Sequence, residues 1–203
     1  MSKIILINGK KRSGKDYTAK MMKRELENSG FSVAVMSFAD PIKEIIATTF
    51  GISLELLDKL KNQKQEIYTT RDDATDEEIY IGDDLQLVSN FRTILQRFGT
   101  EAMQEMFGKT VWVDLLQKKA DNSDCDFVIV PDFRFLQENI GDITIHIFNN
   151  AIIDSIDLHA SENELNDFKF NYEIDNTEKP DISYDIQSIC RVIIMDFTEF
   201  LIP

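Results

Sequence analysis

The sequence predicts an α/β protein with a mostly parallel sheet flanked by helices. Three observations carry that expectation. Short apolar runs rich in β-branched residues recur at Ile4–Ile7, Phe127–Val130 and Ile143–Phe148. Stretches with apolar residues at helical spacing lie between and after them. Glycine, Asn-Gly and Pro-Asp punctuate the ends. Strands alternating with helices give parallel pairing with both faces of the sheet covered.

The elements follow in order. Lys3 to Asn8 is a buried strand ended by Asn8-Gly9. Residues 14 to 29 form a helix stopped by Gly30. Phe31 to Phe38 is a second strand, and Asp40-Pro41 opens a helix with Asp40 as N-cap and Pro41 at its first position. Ile42, Ile45, Ile46 and Phe50 give that helix its apolar face, and Gly51 ends it. A short helix follows at 53 to 61. Residues 62 to 88 include the acidic run Arg71 to Glu78 and read as an exposed, mobile insertion. The spacing of Phe91, Ile94, Leu95, Phe98, Ala102 and Met106 predicts one helix from Ser89 to Phe107 with Gly99 inside it. Val111 to Ala120 is the next helix. Phe127 to Val130 is a strand ending in Pro131-Asp132, with a short helix over 134 to 140. Ile143 to Phe148 is a strand, 149 to 168 a polar lid-like connection, and Phe170 to Ile174 the last strand. The tail is a helix with Ile186, Ile189, Cys190, Ile193 and Phe197 on one face. The chain, 1–203, reads as a single domain carrying an insertion.

Composition narrows the function. With 43% hydrophobic residues the chain can build an ordinary core. A net charge of −14 makes duplex DNA and an anionic membrane surface poor partners. Two distant cysteines, Cys125 and Cys190, suggest neither a disulfide framework nor a zinc site, and a reducing cytoplasm is the expected compartment. The charge is uneven. Beyond residue 140 there are three basic residues against thirteen acidic ones. Residues 3 to 24 hold eight basic residues against one acidic residue, Asp16. An acidic protein with cations concentrated in one glycine-containing stretch is set up to bind a small anion there.

That stretch is Gly9-Lys10-Lys11-Arg12-Ser13-Gly14-Lys15-Asp16, a G-x-x-x-x-G-K motif between a strand and a helix. Glycines let successive N–H groups curl around a phosphate, and the helix directs its positive end at the same anion. Lys15, expected to face solvent in the empty loop, reaches the β- and γ-phosphates. Asp16 stands where Ser or Thr usually ligates Mg²⁺. It is either a metal-side group or a partner of the helix dipole, and Thr18 offers a hydroxyl nearby.

Gly-x-Lys-Arg-Ser-Gly-Lys-Asp resembles the loop of phage deoxynucleoside monophosphate kinases. Phe38-Ala39-Asp40-Pro41-Ile42-Lys43, Arg92 to Thr100 with Val111-Trp112-Val113, Pro131 to Glu138, His159 to Glu162 and Asp175-Asn176 resemble further landmarks of that family, in order. The resemblance implies a P-loop kinase fold with a mobile substrate-binding insertion and lid. It implies ATP and Mg²⁺ as cofactors and a deoxynucleoside monophosphate as the partner, with a homodimer left open. The implied ATP-binding set is Gly9, Arg12, Ser13, Gly14, Lys15, Asp16, Tyr17 and Thr18, and Asp16 and Asp132 are the metal candidates.

A monophosphate kinase holds two polyanions end to end, so it needs cations beyond the loop. Lys11, Lys43, Arg71, Arg92 and Arg134 are the candidates, with arginine favoured for its bidentate fork. Lys15, Arg92 and Arg134 are the expected catalytic residues. Ile42, Gly99, Thr100, Trp112 and Glu138 complete the expected acceptor site. From the residues alone Trp112 is a core tryptophan, while the resemblance makes it a base-stacking platform. Glu138 either orients Arg134, bonds the base or sugar, or forms a surface pair. No basic residue falls between Arg134 and Lys169, so the arginine that relatives carry after the strand at 143 to 148 is missing. The expected reaction is transfer of the ATP γ-phosphoryl group to a deoxynucleoside monophosphate. A kinase for another phosphorylated acceptor, or a catalytically weak nucleotide-binding regulator, are the alternatives.

Overall fold

The structure, a computed structural model, describes residues 2–61, 91–150, 164–177 and 181–199. All of the expected insertion and most of the lid-like connection, with Arg71 and His159 to Glu162, lie outside them. The chain divides into two compact units. One comprises Met1–Phe38 with Val113–Pro203; the other is the intervening Ala39–Trp112.

The first unit is a five-stranded parallel sheet. Its strands are β1 (Lys3–Asn8), β2 (Val33–Val35), β3 (Phe127–Val130), β4 (Ile143–Phe148) and β5 (Tyr172–Asp175), in the order β2-β3-β1-β4-β5. Alternate residues of the central strands feed opposite cores. Ile5, Ile7, Phe127, Ile129, Ile145 and Ile147 pack with Met22 and Leu26 of helix α1 (Lys15–Asn28). Ile186, Ile189, Cys190 and Ile193 of the C-terminal helix (Ser183–Glu199) join the same cluster. Ile4, Leu6, Val128 and Val130 face the other way, onto Val113, Leu116, Ala120 and Phe133. A sheet covered on both faces favours strands that are apolar on both sides, which is why β1 and β3 read as continuous runs, while β4 alternates its isoleucines with Thr144 and His146. Cys190 is buried, and burial together with Glu25 pushes its thiol up to about 12, so it stays protonated.

The second unit starts with α2 (Asp40–Phe50) and α3 (Leu54–Leu60). It continues with α4 (Phe91–Arg97), a π-helical turn at Phe98–Gln104 and α5 (Glu105–Phe107). Its core is Ile46, Ala47, Leu57 and Phe91, with Phe50 edge-on to Phe91 at 5.3 Å between ring centroids. Helix α6 (Val111–Asp121) follows, and the tail helix is α7. No helix among the described residues is long and apolar enough to cross a membrane.

Several boundaries differ from expectation. The second strand is Val33–Val35 rather than 31 to 38, because β2 is an edge strand with β3 as its one partner. The residues after it are drawn onto Asp132 instead: Ser37 Oγ donates to Asp132 Oδ2 at 2.5 Å and Phe38 N–H to Oδ1 at 3.1 Å. The last strand is Tyr172–Asp175, and Asn171 before it bonds Thr144 side chain and backbone. The N-cap of α2 is Ala39, which makes Asp40 the first residue; there it faces the positive end of the helix dipole all the same. The single helix expected over 89 to 107 is three pieces.

Candidate functional site

The sheet order turns at β1, which lies between β3 and β4. In open α/β sheets ligands bind at the carboxyl ends of the strands, where the order turns. The glycine-rich loop leaves β1 at that end. Gly9 has φ +153° and Gly14 φ +108°, the region L side chains avoid. A Cβ on Gly9 would overlap the Ile147 carbonyl and lie 2.6 Å from Ser13 Oγ. One on Gly14 would lie 2.9 Å from Asn176 Nδ2. The loop is therefore a cradle that only glycines at these positions allow. Arg12 at its tip also takes a positive φ, 67°.

Lys15 does not point to solvent as expected. Its Nζ donates to the carbonyls of Gly9 and, at 2.6 Å, Lys10, folding back across its own loop. An ammonium without an anion takes the nearest carbonyl oxygens. Ser13 and Thr18 are 1% and 0% exposed, and among the described residues their hydroxyls have no hydrogen-bond partner. Buried, unpartnered hydroxyls in a loop of this shape fit an oxyanion or its metal. Lys11, Arg12, Asp16 and Tyr17 are exposed around the same loop.

Sequence reading singled out Asn176 only as a family landmark and gave it no role, yet it braces this loop. Asn176, just past β5, donates through Nδ2 to the Ser13 carbonyl at 2.9 Å, and its N–H donates to the Phe148 carbonyl at 2.8 Å. The contact spans 163 positions of sequence, and no local pattern marks it.

The end of β3 supplies the second part. Asp132 accepts from Ser37 and Phe38, so it ties the exit of β2 to the exit of β3. Among the described residues no group of three or more His, Cys, Asp or Glu side chains could hold a metal ion. Mg²⁺ does not require one: it takes one or two carboxylates and fills its shell with water and substrate phosphates. The hard oxygen donors Asp16, Asp132, Ser13 and Thr18 fit that chemistry.

Arg134 is exposed, whereas Glu138 is 9% exposed. Glu138 Oε2 accepts from the N–H groups of Arg134 at 2.7 Å and Phe135 at 3.0 Å. The helix expected over 134 to 140 is a 3₁₀ turn at Leu136–Glu138, capped at Phe135, whose N–H Glu138 holds as in a capping box. Glu138 thus orients the Arg134 backbone and forms no surface pair. Burial chiefly raises its carboxyl, and Asp132 adds to that; the two N–H donors and Arg134 oppose. The result lies at about 7, against an ordinary 4.5.

That shift has a pH consequence. A carboxyl raised in the folded state holds its proton between about pH 4.5 and 7 while the unfolded chain has lost it. Its contribution to stability is complete below that window, falls across it and is gone above it. Glu138→Gln keeps the acceptor and abolishes the titration. Urea midpoints compared at about pH 5 and about pH 8 should therefore fall more for the native chain than for Glu138→Gln. Equal falls would mean that Glu138 titrates as an ordinary carboxyl.

The second unit brings three expected acceptor-site residues together. A Cβ on Gly99 would lie 3.0 Å from Ile42 Cδ1 and 3.9 Å from Trp112 Nε1, and the indole N–H donates to the Gly99 carbonyl at 3.0 Å. The π-helical turn that interrupts the expected helix begins at Phe98 and carries Gly99 and Thr100. Such turns loosen the regular i→i−4 ladder, which leaves the Gly99 carbonyl to the indole. Trp112 is 6% exposed, the buried tryptophan that the residues alone suggest. Lys43 lies 3.9 Å from Asp40 and 3.6 Å from Asp58. Thr100 Oγ1 bonds back to Gln96. Arg92 is exposed near the start of α4.

Residues 3–87 match the family model of deoxynucleotide monophosphate kinase. That is the family whose motifs the loop and its flanks resemble, and the match makes this chain a kinase, a phosphotransferase acting in nucleotide metabolism. The matched span contains the loop, Ile42, Lys43 and Arg71; Arg92, Gly99, Thr100, Trp112, Asp132, Arg134 and Glu138 lie beyond it. No curated protein is similar enough to this kinase to be counted as a relative. Among solved structures it is similar to an APS kinase of Mycobacterium tuberculosis. The identity is 12% and the TM-score 0.41, over 98% of this chain and 97% of that one.

Proposed function

We propose that this kinase transfers the γ-phosphoryl group of ATP to a deoxynucleoside monophosphate, giving the diphosphate. The observation that carries the reading is the loop after β1. Gly9 and Gly14 hold positive-φ conformations with no room for a Cβ, and Lys15 lies folded across the loop. An incoming polyphosphate exchanges the Gly9 and Lys10 carbonyls for anionic oxygens, a stronger partner for an ammonium. The N-terminus of α1 adds its dipole to the same anion.

The acceptor phosphate is already an anionic nucleophile, so no general base is needed, and catalysis is positioning and charge neutralisation. In this reading Lys15 compensates charge on the transferred group, and Arg92 and Arg134 hold the acceptor phosphate. Lys11, Lys43 and Arg71 add positive charge for that phosphate. Ile42, Gly99, Thr100 and Trp112 shape the base site. Glu138 acts through the backbone it holds. Asp16 and Asp132 would hold Mg²⁺, which would supply positive charge to neutralise the phosphates. Reaction takes place in the cytoplasm, a place consistent with free thiols at both cysteines.

A coupled ADP-release assay across the four deoxynucleoside and four ribonucleoside monophosphates tests the reading. Release should depend on the monophosphate and be fastest with a deoxynucleotide. ADP release that is indifferent to the monophosphate would leave an ATPase or a nucleotide-binding regulator.

A further inference from the structure

Asn8 is the last residue of β1 and directly precedes Gly9. Its Nδ2 donates to the Phe133 carbonyl at 2.9 Å. A carbonyl can only accept, so the orientation of the amide is settled and Oδ1 faces away from Phe133. On that side lies His146 Nδ1, at 2.7 Å, from the residue of β4 in register with Asn8. Oδ1 is itself an acceptor, so the imidazole proton sits on Nδ1. The ring stacks on Phe170 at 4.9 Å and 24°, and on Phe148 at 5.8 Å and 22°. Phe170 also packs edge-on against Phe133, which is 1% exposed.

The charged groups acting on the imidazole are Lys15 from the loop side and Glu173 from β5. Burial lowers its pKa first; Glu173 opposes and Lys15 assists, so the ring is neutral near pH 7. A neutral ring with one proton has one donor, and here Asn8 takes it.

We propose that His146 is a positioning residue for phosphoryl transfer: its Nδ1–H locks the Asn8 amide onto the Phe133 carbonyl, and so holds the Asp132–Arg134 turn to the strand that feeds the phosphate loop. The proposal rests on the kinase reading above. It follows from where Arg134 sits. Its own N–H is held by Glu138, and the carbonyl that precedes it in the chain is held by Asn8. The exposed guanidinium is aimed by a peptide unit pinned from both sides. Without the His146 donor, Asn8 Oδ1 loses its partner and the amide can turn away from Phe133. A small displacement of a phosphate-aligning group is costly in rate.

The test joins a spectrum to kinetics. The chain has two histidines, so ¹⁵N-histidine spectra of the native protein and of His146→Asn identify the His146 signals by difference. Nδ1 should be protonated and Nε2 bare near neutral pH. His146→Leu should lose about 10-fold or more in kcat/KM for the monophosphate, with affinity for an ATP analogue unchanged. His146→Asn places an amide N–H about where Nδ1 sits, can still donate to Asn8 and should recover most of that loss. A proton on Nε2 overturns the proposal. So does a His146→Leu enzyme with native kcat/KM, or equal losses in the Asn and Leu variants. If the native protein phosphorylates no monophosphate, the kinase reading fails instead, and the tautomer alone decides whether the His146–Asn8 bracket exists.

Discussion

Lys15→Ala should abolish useful phosphoryl transfer while the protein stays folded. Lys15 Nζ donates to the carbonyls of the loop itself, at Gly9 and Lys10. In the proposed reading that is where anionic charge gathers. Removing one preorganised charge-stabilising donor costs on the order of 10²–10³-fold in turnover, and a cation facing a polyphosphate belongs at the upper end. Stability should change little. Lys10 is exposed and Gly9 and Lys15 are half-buried, so water can take over the carbonyls that the ammonium leaves. Steady-state turnover read beside a thermal melt separates the two effects. A variant that turns over at an ordinary rate would remove Lys15, and with it the loop, from the mechanism. A variant that melts far below the native protein would make Lys15 a structural latch.

Arg134→Ala and Arg92→Ala should each lower kcat/KM for the monophosphate by about 10²-fold or more, with ATP-analogue affinity little changed. Each would lose a charge-assisted, two-pronged grip on a phosphate that must be in line for attack. The backbone of Arg134 is fixed by Glu138, so the Ala variant loses the guanidinium without loosening the turn. Lysine keeps the charge but not the fork, so Arg→Lys variants should recover only part of the loss. Collapse of ATP binding with normal monophosphate binding would mean that donor and acceptor sites are reversed. Native kinetics in both Ala variants would make these arginines surface residues.

What the sequence shows of this fold follows from burial. The β-branched runs of β1 and β3 are legible because strands covered on both faces are apolar on both sides, whereas β4 shows by its isoleucines alternating with Thr144 and His146. The phosphate loop is legible because its glycines are forced by sterics that any phosphate cradle shares. The errors arise where a side chain takes a backbone group out of a regular ladder. Asp132 captures the Phe38 N–H, and β2 ends early. Trp112 takes the Gly99 carbonyl, and a helix passes through a π turn. Apolar spacing cannot register such events, since it reports which face is buried and not where each N–H goes. The bracing roles of Asn8, Ser37 and Asn176 are likewise illegible in sequence, because their partners lie 95 or more positions away.

The most direct test of the account is the fate of the γ-phosphorus. ATP labelled in the γ-position, incubated with Mg²⁺, the protein and each deoxynucleoside monophosphate in turn, should deliver label into the β-position of one deoxynucleoside diphosphate, and Lys15→Ala should deliver it on the order of 10²–10³-fold more slowly. Label found only as free phosphate, or retained in ATP with every acceptor, would contradict it.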